Sequence, residues 1–311
     1  MTYRMQEHVL MTPLTTFRIG GPARWLVDVT TAADIRRALD FARTEDVPFA
    51  ILGEGSNVLV SDAGFQGLVI HLDGGRHRVV GEYVYAEAGA NLEALIRESS
   101  AAGLTGWESL AGIPGTIGGA VRGNAGAFGT EIKDVLVSAR AMDAATGALY
   151  DFSADACEFE YRDSIFKRET KWIITHAVFR LSEGDREKSA EKIAHTIEER
   201  ERRHLQRVRA AGSFFKNPTA PPAVRALFEY EKDTKCVARR VPAGWLIEKV
   251  GGKGMRIGGV LASQQHPNYL TNFTGDAQAA DVIALARELR EKVRDRYKIA
   301  LEPEVSLIGF E

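Results

Sequence analysis

Residues 111–129 read AGIPGTIGGAVRGNAGAFG. Glycines alternate there with small and apolar residues, and Arg122 and Asn124 stand out as the polar side chains. So little side-chain area cannot build a conventional core. The stretch calls instead for close backbone approach, to another chain segment or to a flat, phosphate-bearing ligand. A bare surface loop of this length is uncommon in a compact domain unless it carries function. A second glycine segment, GEGSNVLV (53–60), stands about sixty residues earlier and directly follows an apolar strand pattern. Gly53-x-Gly55 lacks the third glycine of a dinucleotide fingerprint, and Val58, Leu59 and Val60 continue as strand where a helix would be needed. Strand-turn-strand is therefore the expectation. Its amides, with Ser56 and Asn57, would surround a phosphate as a nest, and a tight turn needing positive φ is the plainer alternative. Together the two segments suggest one large cofactor touched by both, a pyrophosphate joined to an aromatic ring system.

The chain has 311 residues, enough for two or three domains with their own cores. Its formal net charge of -2 gives no global attraction to nucleic acid. No apolar run approaches a membrane span, and the N-terminus, MTYRMQEHVL, has no apolar signal core, so a cytoplasmic protein is expected. Cys157 and Cys236 form no CxxC pair; two buried, reduced thiols are expected, and no metal site. Helices are expected over Thr31–Ala42, Asn91–Ala102, 184–209, 242–251 and from about Asp276, and strands over 47–52, 58–60, 67–72 and 83–89, with a final strand in IALEPEVSLIG. This is an α+β pattern. The domain boundary is expected between residues 183 and 184, with two lobes, about 1–72 and 73–183, before it.

Several polar groups are candidates for chemistry. YRDSIFK (161–167) sets Tyr161 and Arg162 beside Asp163. A surface ion pair would explain it, but an arginine is also a permanent planar cation that can hold a carboxylate or steady an enolate. AGSFFKNP (211–218) carries Ser213, Lys216 and Asn217 around two phenylalanines. A serine hydroxyl is a poor acid toward water, yet it can protonate a carbanion or enolate held within hydrogen-bond reach; a plain turn over a packed aromatic pair is the alternative. LEPEV (301–305) sets Glu302 and Glu304 on one side of an alternating strand. His266, and the GGKGMRIGG loop (251–259) with Lys253 and Arg256 as a phosphate-binding candidate, complete the set; a structural histidine and a plain helix-connecting loop are the alternatives.

TTFRIGGPA (15–23), GEGSNVLVSD (53–62), IPGTIGGAVRGNAGAFG (113–129), YRDSIFK, AGSFFKNP, AGWLIEKVGGKGMRIGG (243–259) and LEPEV occur in an order and spacing that resembles the UDP-N-acetylenolpyruvoylglucosamine reductase family, over nearly the whole chain. The resemblance implies a two-part FAD-binding domain of the vanillyl-alcohol-oxidase (PCMH-like) type and a C-terminal α+β substrate-binding domain. It implies FAD and NADPH as cofactors, a UDP-sugar as substrate, and no nucleic-acid or membrane partner; a monomer is the working expectation. By motif position Arg162, Ser213 and Glu304 match the family's catalytic groups. The resemblance places the cofactor against Gly53, Gly55, Ser56, Asn57, Pro114, Gly115, Thr116, Gly118, Gly119, Asn124 and Gly126, and the substrate against Tyr161, Lys216, Asn217 and His266. Two departures stand out. Phe128 replaces the family's tyrosine, and the chain after Leu181 runs straight into a charged helix, as in the shorter branch that lacks a tyrosine-bearing lid loop. Another flavoenzyme on this scaffold, or a catalytically silent flavin module, are the competing readings; retention of Arg162, Ser213 and Glu304 speaks against both.

Overall fold

The computed structural model describes residues 3–203 and 208–310. The chain divides into two compact units that are not contiguous in sequence. The first comprises the residues up to Val9, Ala23–Glu54 and Phe65–Arg202; the second comprises Leu10–Pro22, Gly55–Gly64 and the residues from Arg203 onward. This differs from the expected boundary at 183/184 in two respects: residues 186–202 pack in the first unit, and two early segments belong to the second.

The first unit holds two sheets. In one, the order is Met5–Leu10, Pro22–Val29, Phe65–Leu72, Phe49–Leu52, the last three mutually parallel. Parallel neighbours need a crossover, and α1 (Ala32–Thr44) supplies it. Thr31 caps α1 by accepting from the Asp34 amide at 3.2 Å, and Ile35, Ala38, Leu39 and Ala42 form its buried face. The other sheet is antiparallel, ordered Leu149–Ser153, Leu136–Asp143, Trp172–Arg180, Tyr83–Glu87, His77–Val80. Helix α2 (Leu92–Ala101) starts at the Asn91 cap, α3 (Ile117–Arg122) lies within the glycine-rich segment, and α4 (Ile165–Arg168) follows Ser164. The strand ending at Arg180 is followed by the short pairing of Ser182–Glu183 with Leu104–Thr105, and then by α5 (Arg186–Arg202), so no lid loop intervenes. The rest of the helix expected over 184–209 falls partly on 204–207, outside the described residues.

What fastens α5 is a buried acid. Glu108 is 1% exposed, and its carboxylate accepts from the Thr105 hydroxyl, the Gly106 amide (3.1 Å), the Ser189 hydroxyl (2.8 Å) and Lys192 Nζ (3.3 Å). Burial alone would raise its pKa, but the hydrogen bonds from Thr105, its own backbone, Ser189 and Gly106 together bring it down to about 2. A carboxyl depressed from 4.5 to about 2 contributes about 3 kcal/mol of stability at neutral pH. The folded pKa lies below the unfolded one, so this contribution is complete above pH ~4.5 and is lost as pH falls toward 2. Glu108→Ala is expected to cost about 3 kcal/mol at pH 7, and the gap from the unmutated protein in urea midpoint should close below pH ~3. A gap that persists in acid would assign the loss to packing alone.

The second unit carries α6 (Pro222–Lys232), α7 (Ala243–Lys249) and α8 (Ala279–Tyr297) with a small sheet of Arg256–Ile257, Val260–Ala262 and Leu270–Asn272. Val282, Leu285, Leu289 and Val293 of α8 pack in one core with Trp245, Leu246 and Ile247 of α7. Asp62 accepts from the amides of Ala279 (2.7 Å) and Ala280 (3.0 Å), anchoring the start of α8 to the Gly55–Gly64 segment. The expected last strand is regular only over Ser306–Ile308, which pairs in parallel with Val58–Val60. Leu301 and Val305 are buried and Glu302 exposed before it, as alternation demands, but the chain there is not a continuous strand. Cys157 is buried and its thiol is pushed up to about 12 by burial, whereas Cys236 is half-buried, short of the full burial expected. No helix among the described residues is long and apolar enough to cross a membrane.

Candidate active site

The candidate residues fall into two groups, one in each unit. In the first unit the glycine segments meet. A Cβ on Gly53 would lie 2.6 Å from Thr116 Oγ1, and one on Gly118 would lie 2.9 Å from the Ala88 Cβ. The Gly118 amide donates to Ala88 O at 2.8 Å and the Ile117 amide to Ala90 O at 2.8 Å, which seats α3 against the strand end. Thr116 is buried and caps α3 by accepting from the Gly119 amide. Pro114 and Gly119 are exposed, and Gly53 and Gly115 half-buried, so Pro114, Gly115 and Gly119 present a nearly side-chain-free edge beside Gly53. This edge offers backbone and no charge, which fits a flat ring system and its pyrophosphate, the features of FAD. We expect Gly118→Val to wedge α3 off Ala88 and to lower flavin content at purification severalfold, read from the ratio of visible to ultraviolet absorbance; wild-type flavin loading would show that this packing does not shape the cofactor edge.

The GEGSN turn divides between the units after Glu54. Gly53 keeps company with Thr116, and Glu54 accepts from the Asn91 side-chain amide. Gly55, Ser56 and Asn57 belong to the second unit. Gly55 adopts φ +62°, and a Cβ there would lie 2.1 Å from Leu14 O, so its glycine is explained by chain packing. Asn57 is tied to the C-terminal segment: its side chain donates to Glu304 O at 3.4 Å, and its carbonyl accepts from the Ser306 amide at 3.0 Å. The latter half of this turn therefore also braces the backbone at Glu304.

Arg162 sits in the first unit with φ +57°, a conformation uncommon for a side chain of this size. Its Nη2 donates to Gly126 O at 2.6 Å and its Nη1 to Asn124 O at 3.5 Å. Tyr161 lies beneath the guanidinium, 5.1 Å from ring centroid to Cζ. Asn124 is fully buried: its Nδ2 donates to Glu131 Oε2 (3.2 Å) and Glu160 O (2.9 Å), and its Oδ1 accepts from the Lys133 amide (3.1 Å). Its side chain thus links three neighbouring segments of the first unit. Gly126 likewise serves the arginine through its carbonyl. Phe128 is exposed, with φ +48°.

In the second unit, Ser213 and Glu304 are brought together by the backbone. The Glu304 amide donates to Phe214 O at 2.8 Å and the Lys216 amide to Glu302 O at 2.9 Å, an antiparallel bridge centred on Phe215 and Pro303. Phe214 and Phe215 are buried edge to face, 5.0 Å apart at 75°, so they anchor the turn while Ser213 remains half-buried. Gly212 supplies the left-handed residue before it (φ +71°). Asn268, 1% exposed, clamps the other side: its Oδ1 accepts from the Phe215 amide (3.0 Å), its Nδ2 donates to Phe215 O (2.8 Å), and its carbonyl accepts from the Phe214 amide (2.8 Å). The sequence reading passed over Asn268; its signal was an amide placed between a proline and a tyrosine in SQQHPNYL.

Lys216 is half-buried on the same segment. Asn217 Oδ1 accepts from the amide of Ala243, the first residue of α7, at 3.0 Å. His266 is half-buried, stacked edge-on against Tyr269 at 5.0 Å, and its Nδ1 is buried without a hydrogen-bond partner among the described residues. Burial, with Arg203 adding to it, pushes its pKa below the usual histidine value. It suits a neutral hydrogen-bonding role and not that of a cation for phosphate. The cleft of about 610 Å³ between α2 and α5, lined by Ser100, Ala101, Ile193 and Ile197, contains none of these candidates.

Residues 23–153 match the family described as FAD binding domain, and residues 203–308 match the C-terminal domain of UDP-N-acetylenolpyruvoylglucosamine reductase. Curated relatives of that name include one from Solibacter usitatus, 38% identical over 96% of this chain and 96% of the relative. Another, from Pseudomonas aeruginosa, is 36% identical over 99% of this chain and all of the relative. Among solved structures, the UDP-N-acetylenolpyruvylglucosamine reductase (MurB) of Thermus caldophilus is similar over 99% of this chain and all of its own, with a TM-score of 0.77 and 31% identity.

Proposed function

Because this chain belongs to the UDP-N-acetylenolpyruvoylglucosamine reductase family, we propose that it reduces UDP-N-acetylglucosamine enolpyruvate to UDP-N-acetylmuramate with NADPH and bound FAD. The reaction serves peptidoglycan precursor synthesis in the cytoplasm, and the chain acts as a monomer. The chemistry that a bound FAD supplies is the relay of hydride from NADPH to the enolpyruvyl β-carbon.

Everything else falls to the protein. Addition at the β-carbon leaves negative charge on the α-carbon and its carboxylate. The planar guanidinium of Arg162 stabilises that charge as it develops, where a preorganised cation contributes most. Ser213 donates its hydroxyl proton to the α-carbon and recovers one from solvent, completing the addition of H⁻ and H⁺ across the double bond. Glu304 orients the enolpyruvyl carboxylate. Lys216, the Asn217 amide, Tyr161 and neutral His266 are the substrate-side groups of this reading. Pro114, Gly115, Thr116 and Gly119, with Gly53, are the cofactor-side groups.

The observation that carries the reading is the pairing of the Ser213 and Glu304 segments through the bonds to Phe214 and Glu302. It supports the reading because it joins the backbone segments that carry the serine and the glutamate, in a unit whose sequence matches the reductase's C-terminal domain. The test is the visible spectrum of the purified protein without oxygen. NADPH should bleach the flavin bands, and UDP-N-acetylglucosamine enolpyruvate should restore them. A protein that takes up no FAD would sink the reading. Bleaching without restoration would keep the cofactor and refute the substrate.

A further inference from the structure

Resting on the reading that Arg162 serves the reaction, we infer that Glu131 is the positioning residue of that arginine, acting together with Asn124. Three acceptors from one short stretch meet the Arg162 guanidinium. They are the carbonyls of Asn124 and Gly126 and, 3.9 Å from Nη1, Glu131 Oε1. The last contact is an ion pair and too long for a hydrogen bond. It therefore draws the guanidinium to one side without consuming an N–H donor, which suits a cation that must still receive a substrate carboxylate.

Glu131 is itself held from two directions. Its Oε2 accepts from Asn124 Nδ2 at 3.2 Å and from Lys133 Nζ at 2.8 Å. Lys133 shares the carboxylate's charge, so Glu131 does not neutralise the arginine outright. Asn124 closes the circuit, because the same Nδ2 reaches Glu160 O, on the segment that carries Arg162. The position of Glu131 is thus referred to the backbone next to Arg162. The arginine's left-handed φ makes such bracing necessary, since that conformation persists only where surroundings over-determine it. Close packing leaves the carboxylate little freedom: a Cβ on Gly126 would lie 2.8 Å from Glu131 Cγ.

Glu131 also caps the turn Ile132–Asp134, so a purely structural role must be distinguished. The test uses the FAD-loaded full chain, with each rate normalised to flavin content. Reoxidation of the reduced flavin by saturating UDP-N-acetylglucosamine enolpyruvate should fall on the order of 10–100-fold in Glu131→Ala, as expected for a misplaced catalytic group. Glu131→Gln keeps the length and the cap but not the charge, and should stay slow. In an Arg162→Ala background, Glu131→Ala should cost less than about 3-fold more. The same cycle read calorimetrically, as the affinity of the oxidised protein for that UDP-sugar, should show the same non-additivity. Full recovery in Glu131→Gln, or additive losses in either readout, would overturn the inference. Unimpaired reoxidation in Arg162→Ala alone would instead overturn the reading of Arg162, and the two failures are told apart by that single variant.

Discussion

In protein carrying Ser213→Ala, NADPH is expected to bleach the flavin at close to the unmutated rate, while the return of the flavin bands on adding the enolpyruvyl UDP-sugar slows on the order of 10²–10⁴-fold, the usual contribution of a positioned proton donor. The separation follows from the chemistry. Delivery of reducing equivalents to the cofactor asks nothing of a hydroxyl, whereas addition to the enolpyruvyl group leaves an α-carbon that must be protonated before product can leave. The fold makes the substitution clean. The turn is anchored by buried Phe214 and Phe215 and by the three bonds to Asn268, none of which involves the serine side chain. Loss of the hydroxyl should therefore leave its backbone in place. Single-turnover mixing without oxygen separates the half-reactions, and reoxidation at the unmutated rate would remove Ser213 from its role.

Arg162→Ala should slow the same half-reaction by about 10²–10³-fold, the range for removing one preorganised group that stabilises developing charge. Arg162→Lys should recover little of it. The guanidinium donates to two carbonyls, of Gly126 and Asn124, through two different nitrogens, and a single ammonium cannot reproduce that fork. A lysine variant as fast as the unmutated enzyme would show that charge suffices and that the planar geometry of the site is incidental.

The parts of this architecture that were legible in the sequence are those set by local rules. Thr31 and Asp34 announce the start of α1, and the three-four spacing of Val282, Leu285, Leu289 and Val293 announces the face of α8. The bracing of Ser213 by two aromatic residues could also be read, because the residues are neighbours. What escaped depends on partners distant in the chain. Asn124 reads in the sequence as one of two polar side chains in a ligand-approaching stretch, and its bond to Glu160, 36 residues away, is not legible there. Asn57 looked like part of a phosphate turn, and its partners lie at the other end of the protein. The two compact units divide the chain differently from the expected boundary for the same reason. A three-residue parallel pairing between Val58–Val60 and Ser306–Ile308 leaves no periodic trace, and the charged surface of α5 conceals that its anchor is a single buried acid.

That pairing has a consequence for how the protein is made. The turn bearing Asn57 meets its partner at Glu304 across 247 residues, so a ribosome releases it long before anything exists for it to pair with. At 5–20 residues per second, the wait lasts roughly 12–50 s. During that time Val58–Val60 is an unpaired edge next to an apolar core that has not yet been synthesised, the kind of exposed strand that chaperones must shield. A chain lacking the Ser306–Ile308 strand would leave Val58–Val60 without the partner it pairs with in the folded protein, so the early segment's folding waits on a much later one.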